Sequence, residues 1–327
     1  MGGFIRHFKN AIRYVVTNNK VREEWPLWLR INRVKAEYYG AHGRKLDLKT
    51  PKLFTEKIQW YRLFYATETM HVCTDKVRFK QFIEEKLGAG YTAQLLGVWD
   101  NIEDLAADWE KLPESFCIKS NLQSDGNAIE VVKNKSEINL DNFLKETAKW
   151  LDPKNTALNW QTAAYYGNEP MILAEEYLNL KIDGVSLDDY KFFCFDGEPK
   201  YIYVASEQME GVKEHSSITF YTTDWTRLNV KYGSFGNHDN PRPKHLDEML
   251  SIARILSAEF PFVRVDFYDL PEHVLLGEMT FDPAGGLKKF NPESFDLEMG
   301  EAFHLPEPNI THFWRNYKKE KQKMSTA

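Results

Sequence analysis

The chain has 327 residues, 14% of them aromatic, with 42 basic and 48 acidic side chains and a formal net charge of −6. That length buries a large core with room for two or three subdomains, and the slight acidic excess leaves no domain-wide basic excess for general nucleic-acid binding. Cys73, Cys117 and Cys194 lack metal-ligand spacing and read as reduced core thiols of a cytosolic protein, and neither a run of about 18 apolar residues nor a signal-peptide segment is present.

Phe4, Ile5, Phe8, Ile12, Val15 and Val16 share one side of a helix, with Arg6, Lys9, Arg13 and Lys20 largely elsewhere. Residues 1–20 therefore read either as a basic amphipathic helix on an anionic membrane surface or as an ordinary helix docked on the fold. Up to about residue 70 the pattern stays helical. One helix opens at Leu53 after Pro51, with Thr55 as its cap. Another runs from Asp75 to Leu87 and ends at Gly88 and Gly90. Phe116–Lys119 and Ala128–Val132 read as strands around a polar turn, Leu140–Leu151 as a helix and Met171–Tyr177 as a strand. Tyr190–Phe195 and Lys200–Val204 form a hairpin across Asp196-Gly197, a strong turn dipeptide. Leu246–Ala258 is an amphipathic helix. Strands arriving in pairs with helices between them predict antiparallel α+β layers.

The last strand pair carries the most chemistry. Phe262–Tyr268 and the segment from Leu275 each hold an acid, Asp266 and Glu278, flanked by apolar residues. Two buried carboxylates on adjacent strands call for a shared cation, whereas the bland reading leaves both in water. Arg264 shares a strand face with Asp266, and Pro283-Ala284-Gly285-Gly286 follows directly. A cationic fork, two carboxylates and a glycine turn are parts that hold a magnesium-bound triphosphate. Lys119 ends a strand beside a turn of small polar residues that includes Ser124 and Gly126, an arrangement suited to phosphate. Glu175 and Glu176 are either solvated acids at a strand end or, with Tyr177 and Leu178, a hinge whose backbone pairs with an adenine edge. Asp189 and Lys191 share one face of the next strand, where an acid could accept ribose hydroxyls and a lysine could reach a phosphate.

Other chemistries find little support. No phosphate-loop or dinucleotide-binding glycine pattern exists, the histidines lack zinc-hydrolase spacing, and there is no G-x-S-x-G elbow. Trp150, Trp160, Tyr165 and Tyr166 read as core packing rather than a sugar platform.

Thr74-Asp75-Lys76, Phe116-Cys117-Ile118-Lys119, Leu173-Ala174-Glu175-Glu176-Tyr177, Asp189-Tyr190-Lys191-Phe192-Phe193 and the Arg264–Gly286 hairpin resemble, in that order, the ATP-grasp superfamily. Phe54–Trp60, Gly97-Val98-Trp99-Asp100 and Lys289-Phe290-Asn291-Pro292-Glu293 are similar to its TupA-like branch, named for teichuronopeptide synthesis and associated with bacterial surface polysaccharides such as capsules. The resemblance covers residues 45 to 303. It implies an α+β ATP-grasp fold, two lobes clamping ATP behind a helical extension at 1–70. Residues 71–115 would begin the ATP-grasp region, 116–177 form its lid, 178–305 its C-terminal part with the metal site, and 306–327 a polar tail. The ATP contacts implied are Lys119, Ser124, Gly126, Glu175, Glu176, Tyr177, Leu178, Asp189 and Lys191. Asp266, Glu278 and Thr280 would bind magnesium, and Arg264 with Lys191 would act at the transferred phosphoryl group. The activity implied is ATP-dependent joining of a carboxylate-bearing sugar or glycan, such as a uronic acid, to an amine (an amino acid or amino alcohol) through an acylphosphate. A phosphotransferase or an impaired ATP-binding scaffold are the alternatives. The setting implied is cytoplasmic, with peripheral contact at the inner membrane face. Two departures from the ATP-grasp pattern stand out: Leu122-Gln123-Ser124-Asp125-Gly126 replaces a glycine-rich loop, and Thr280 replaces the metal-ligating asparagine common in ATP-grasp ligases.

Overall fold

The computed structural model describes residues 27–122, 128–152, 162–165, 168–178, 181–182, 185–186, 188–206, 217–233 and 239–310. The membrane-surface helix expected at 1–20, most of the tail, and Ser124, Gly126, Trp160 and Tyr166 lie outside these residues. None of the described helices is long and apolar enough to cross a membrane. The chain divides into two compact units, one of residues 68–158 and 167–280, the other of 1–67, 159–166 and 281–327.

The larger unit holds two antiparallel sheets. The first orders its strands Leu95–Trp99, Ile172–Glu176, Phe116–Ser120 and Ile129–Val132. Alternation along Phe116–Ser120 sends Phe116 and Ile118 to one face, where both are fully buried with Ile172, Ala174 and Val132. The short helices Ile102–Asp108 and Leu140–Thr147 supply Leu105 and Phe143 to the same core. Trp150 packs on this cluster too, as core packing requires. The predicted 140–151 helix is α-helical only to Thr147 and then tightens to a 3₁₀ turn, Ala148–Leu151. The opposite face of this sheet carries Cys117, Lys119, Ile129 and Val131.

The second sheet orders Arg227–Leu228, Ser217–Thr222, Glu198–Ser206, Asp189–Phe195, Phe262–Asp269 and Val274–Thr280. At its central hairpin Asp196 and Gly197 both take positive φ, +49° and +83°, the backbone that a two-residue turn between twisted strands demands. The helix Leu246–Ser257 packs on this sheet. Phe192 meets Phe267 across strands with ring centroids 5.0 Å apart, while Phe193 meets Tyr203 and Phe220 on the other face. Lys191, Asp266 and Glu278 stand at matched register on three neighbouring strands, so they share that second face.

In the smaller unit the helices Leu27–His42, Phe54–Phe64 and Glu293–Ala302 bury Val34, Tyr38, Ile58, Tyr61 and Met299. Thr55 does not cap the second of them. Leu53 holds the cap position, and the Glu56 carboxylate accepts from the Lys52 and Leu53 amides at 3.0 and 3.2 Å. Thr55 instead gives its amide and hydroxyl to Asp296, at 2.9 and 2.8 Å. A cap prediction from local sequence misses this because the competing acceptor lies 241 residues away.

Candidate functional site

Within the larger unit, the unburied face of the first sheet and the charged face of the second line a cavity of about 450 Å³. That is large enough for a nucleotide-sized ligand. One wall is Lys119 with Cys117, Ile129 and Val131; the last two are about half exposed, at 46% and 47%. Apolar strand residues left open on an edge strand offer a flat surface for a planar ring. The opposite wall is Asp189, Lys191, Asp266, Tyr268 and the Leu275–Glu278 segment, and Glu175, Glu176, Tyr177 and Leu178 run along the side.

The helix Lys76–Leu87 adds two lysines, Lys76 and Lys80, one turn apart on one face. Asp75 caps this helix, accepting from the Val77 and Arg78 amides at 2.8 and 3.3 Å. The same carboxylate receives Asn121 Nδ2 at 2.8 Å. Asn121 O in turn accepts from the Lys76 amide at 3.2 Å and from its Nζ at 3.3 Å. The cap therefore ties the helix start to the end of the Phe116–Ser120 strand. Burial and then the neighbouring Lys119 charge lower the Lys76 pKa from 10.5 to about 8.

Glu175 is 5% exposed, which excludes the solvated reading. Its Oε1 meets Lys80 Nζ at 2.8 Å and its Oε2 meets Lys119 Nζ at 2.5 Å. Burial opposes its charge, but Lys119 and Lys80 outweigh burial and hold its pKa below the ordinary glutamate value. Glu176 pairs with Gln94 twice: its amide donates to Gln94 O at 2.9 Å and its Oε1 accepts from the Gln94 amide at 2.8 Å. Tyr177 and Leu178 are the first residues past the sheet ladder.

On the second sheet Asp266 is almost fully buried and held from two sides. Arg264 Nε and Nη2 donate to its Oδ1 and Oδ2 at 2.6 Å each, and Lys191 Nζ reaches Oδ2 at 2.6 Å. Burial opposes ionisation here, yet Arg264 and then Lys191 keep the carboxyl below its usual range. Lys191 also meets Asp189 Oδ2 at 2.5 Å. Burial raises the Asp189 pKa from 3.8 to about 6, against the pull of Lys191. Arg264 Nη2 extends to Glu278 Oε1 at 2.9 Å and to Thr280 Oγ1 at 3.0 Å. The cations that Asp266 meets in this structure are thus side chains. Gly277 is the extra residue of a bulge opposite Asp266 and Phe267. It turns Glu278 toward the cavity, and a Cβ there would stand 3.3 Å from the Tyr268 ring.

The magnesium ion implied by the resemblance fits the chemistry of this donor set. Asp266 and Glu278 sit directly opposite each other on adjacent strands, and the Thr280 hydroxyl lies 3.1 Å from Glu278 Oε1. All are hard oxygen donors. No group of three or more His, Cys, Asp or Glu among the described residues could hold a metal, so substrate oxygens and water would complete the shell, as is usual for magnesium. Lys76, Lys80, Lys119, Lys191 and Arg264 face an equal number of carboxylates, Glu175, Glu176, Asp189, Asp266 and Glu278. A triphosphate would add negative charge that this balance does not cover, a difference that a divalent cation would offset.

Of the residues singled out from sequence, the cavity gathers Lys119, Glu175 to Leu178, Asp189, Lys191, Asp266 and Glu278. Arg264 and Thr280 stand immediately behind, bonded to the acids. Sequence reading did not assign Lys76, Lys80, Cys117 or the Ile129/Val131 surface to the site. The i,i+4 lysines after an Asp cap, and a strand whose alternate apolar residues face away from the core, were the available signals.

A family model described as TupA-like ATPgrasp matches residues 56–304, most of the chain. Among solved structures the chain is similar to D-alanine–D-alanine ligase from Bacillus anthracis complexed with ATP, at 16% identity and TM-score 0.39, covering 64% of this chain and 55% of that one. It is similar to D-alanine–D-alanine ligase from Helicobacter pylori, at 17% identity and TM-score 0.42, over 77% of this chain and 68% of that one. Phosphoribosylamine–glycine ligase from Thermotoga maritima matches at 12% identity and TM-score 0.40, over 66% of this chain and 49% of that one. The chain spans about half the length of the first and third of these enzymes. No curated protein matches it. With the family model spanning both sheets and every element that lines the cavity, the chain belongs to the TupA-like ATP-grasp family and has the ATP-grasp fold.

Proposed function

We propose that the protein is an ATP-dependent carboxylate–amine ligase that releases ADP and forms an amide, with a uronic acid of a bacterial surface polysaccharide or its precursor as the carboxylate. The observation that carries the nucleotide part is the cavity itself: Lys119 and the open apolar strand residues Ile129 and Val131 on one wall, and the matched pair Asp266 and Glu278 with Lys191 on the other. The uronic acid rests on the family resemblance alone.

In this reading Ile129, Val131 and Leu178 bound the adenine, with hinge backbone at Tyr177 and Leu178. Asp189 accepts from the ribose, and Lys76 and Lys119 neutralise the phosphates. Asp266 and Glu278, with the Thr280 hydroxyl beside them, would hold magnesium, which would supply charge neutralisation at the phosphate oxygens. Arg264 and Lys191 fix the Asp266 carboxylate between them and bring positive charge to the transferred phosphoryl group. A substrate carboxylate oxygen attacks the γ-phosphorus in line, the bond to the β-phosphate oxygen breaks, and ADP leaves. The amine nitrogen then adds to the acyl carbon. The tetrahedral intermediate loses a proton from nitrogen and expels phosphate, leaving the amide. Positioning and charge carry most of such a reaction.

The test is product identity. Purified protein with ATP, magnesium and a matrix of uronic acids and amines should release ADP and phosphate and yield the mass of an amide. A phosphorylated sugar in place of the amide makes the protein a phosphotransferase. ATP binding without turnover makes it a scaffold.

A further inference from the structure

The Lys80–Glu175–Lys119 trio does work that the proposed contacts leave unassigned. Glu175 is the register partner of Cys117, so Lys119, two residues further along, is its diagonal neighbour on the same sheet face. Each carboxylate oxygen takes one ammonium, Oε1 from Lys80 at 2.8 Å and Oε2 from Lys119 at 2.5 Å. Lys80 is anchored separately, donating to Ala93 O at 2.6 Å. The Lys80 and Glu175 side chains are 12% and 6% exposed, and that of Lys119 is the most open at 21%.

Charge decides what this arrangement does. A buried Glu175 paired with Lys119 alone would cancel the charge that Lys119 brings to the cavity, and would draw its ammonium toward the sheet. With Lys80 on the other oxygen the trio keeps one net positive charge, and Lys119 is held at one end of a fixed carboxylate. The pKa of Glu175 stays low although burial opposes it, and that of Lys80 is lowered by burial against the pull of Glu175.

We propose that Lys80 is a positioning residue which, through Glu175, sets the place and the effective charge of Lys119 for binding the phosphates of a nucleotide. The proposal rests on the nucleotide reading of the cavity.

The experiment is calorimetric titration of the full chain with ATP and, separately, with adenosine. Lys80→Met should weaken ATP binding about tenfold, as losing one charge-assisted contact to an anion does, and leave adenosine affinity unchanged. Lys80→Arg should restore most of the loss. In a Glu175→Gln background, Lys80→Met should have no further effect on ATP. Lys80→Gln keeps a donor for Ala93 O while dropping the charge, and carries the same test where the methionine variant does not fold. Equal losses for ATP and adenosine, or an undiminished effect of Lys80→Met with Gln at 175, would overturn the positioning role. Failure of the wild-type chain to bind ATP would instead remove the nucleotide reading, and this inference with it.

Discussion

The lowered pKa of Lys76 makes ATP affinity depend on alkaline pH in a way that this one residue controls. Lys76 lies in the first turn of its helix, where the helix dipole disfavours a cation; burial and the Lys119 charge depress its pKa to about 8. A bound triphosphate reverses that electrostatic balance and draws the ammonium back toward the ordinary lysine value of 10.5. Above pH 8, therefore, each binding event takes up a proton, and the apparent Kd rises as the free protein loses its charge. With a pKa of about 8 in the free protein and a full return to the ordinary lysine value as the limit, Kd should rise by up to about twentyfold from about pH 7.5 to about pH 9.5. Folding stability moves the opposite way. The folded state holds fewer protons than the unfolded chain between pH 8 and 10.5, so the contribution of Lys76 to stability improves as pH rises through that window. The assay is ATP titration across this range for the wild type and for Lys76→Arg, whose guanidinium stays charged throughout. The arginine variant should be nearly flat where the wild type climbs. An identical alkaline limb in both, or none in the wild type, would refute the assignment of Lys76 to the phosphates.

Two further outcomes test other parts of the molecule. Glu278→Gln should abolish ADP release while leaving the circular dichroism and melting temperature unchanged, because its side chain is 45% exposed and a glutamine keeps an oxygen to accept from Arg264 and Thr280; wild-type turnover would remove it from the metal site. Gly300→Ala should destabilise the smaller unit by about 3 kcal/mol or more, since a Cβ there would stand 2.0 Å from Lys52 O and 2.8 Å from the Phe54 amide nitrogen, both backbone. An unchanged urea midpoint would contradict that close packing.

What could be read from sequence was local. Alternation gave the Phe116–Ser120 and Phe262–Asp269 strands to within a residue or two. The helix from Asp75 to Leu87 ending at Gly88 was read to within a residue, because the cap and glycine chemistry that bounds it acts within a turn. Asp-Gly placed a hairpin for the same reason. Most of the misses concern partners that the fold brings from afar. Thr55 serves Asp296 rather than its own helix. Glu175, next to an identical acid in sequence, points inward to Lys80 and Lys119 while Glu176 turns to Gln94, and only strand register decides which does which. The Gly277 bulge, which re-aims Glu278, left no mark beyond a glycine inside a strand pattern.

Asp266 and Glu278 looked equivalent in sequence, each an acid within an apolar strand, and the structure separates them. Asp266 has both oxygens engaged, by a two-point contact from Arg264 and by Lys191, at 2% exposure. Buried this deeply, an ionised carboxylate without a ligand requires such partners, because leaving it unpaired in a low-dielectric site would raise its pKa and neutralise it. Glu278 engages Arg264 and Thr280 through the same oxygen, Oε1, and its side chain is 45% exposed. Within the proposed metal site the two acids therefore differ in kind. Glu278 can take a new ligand through its second oxygen with its hydrogen bonds intact, whereas Asp266, whose Oδ2 already accepts from both Arg264 and Lys191, has only the open side of Oδ1 to offer, and that oxygen is itself held by Arg264 Nε.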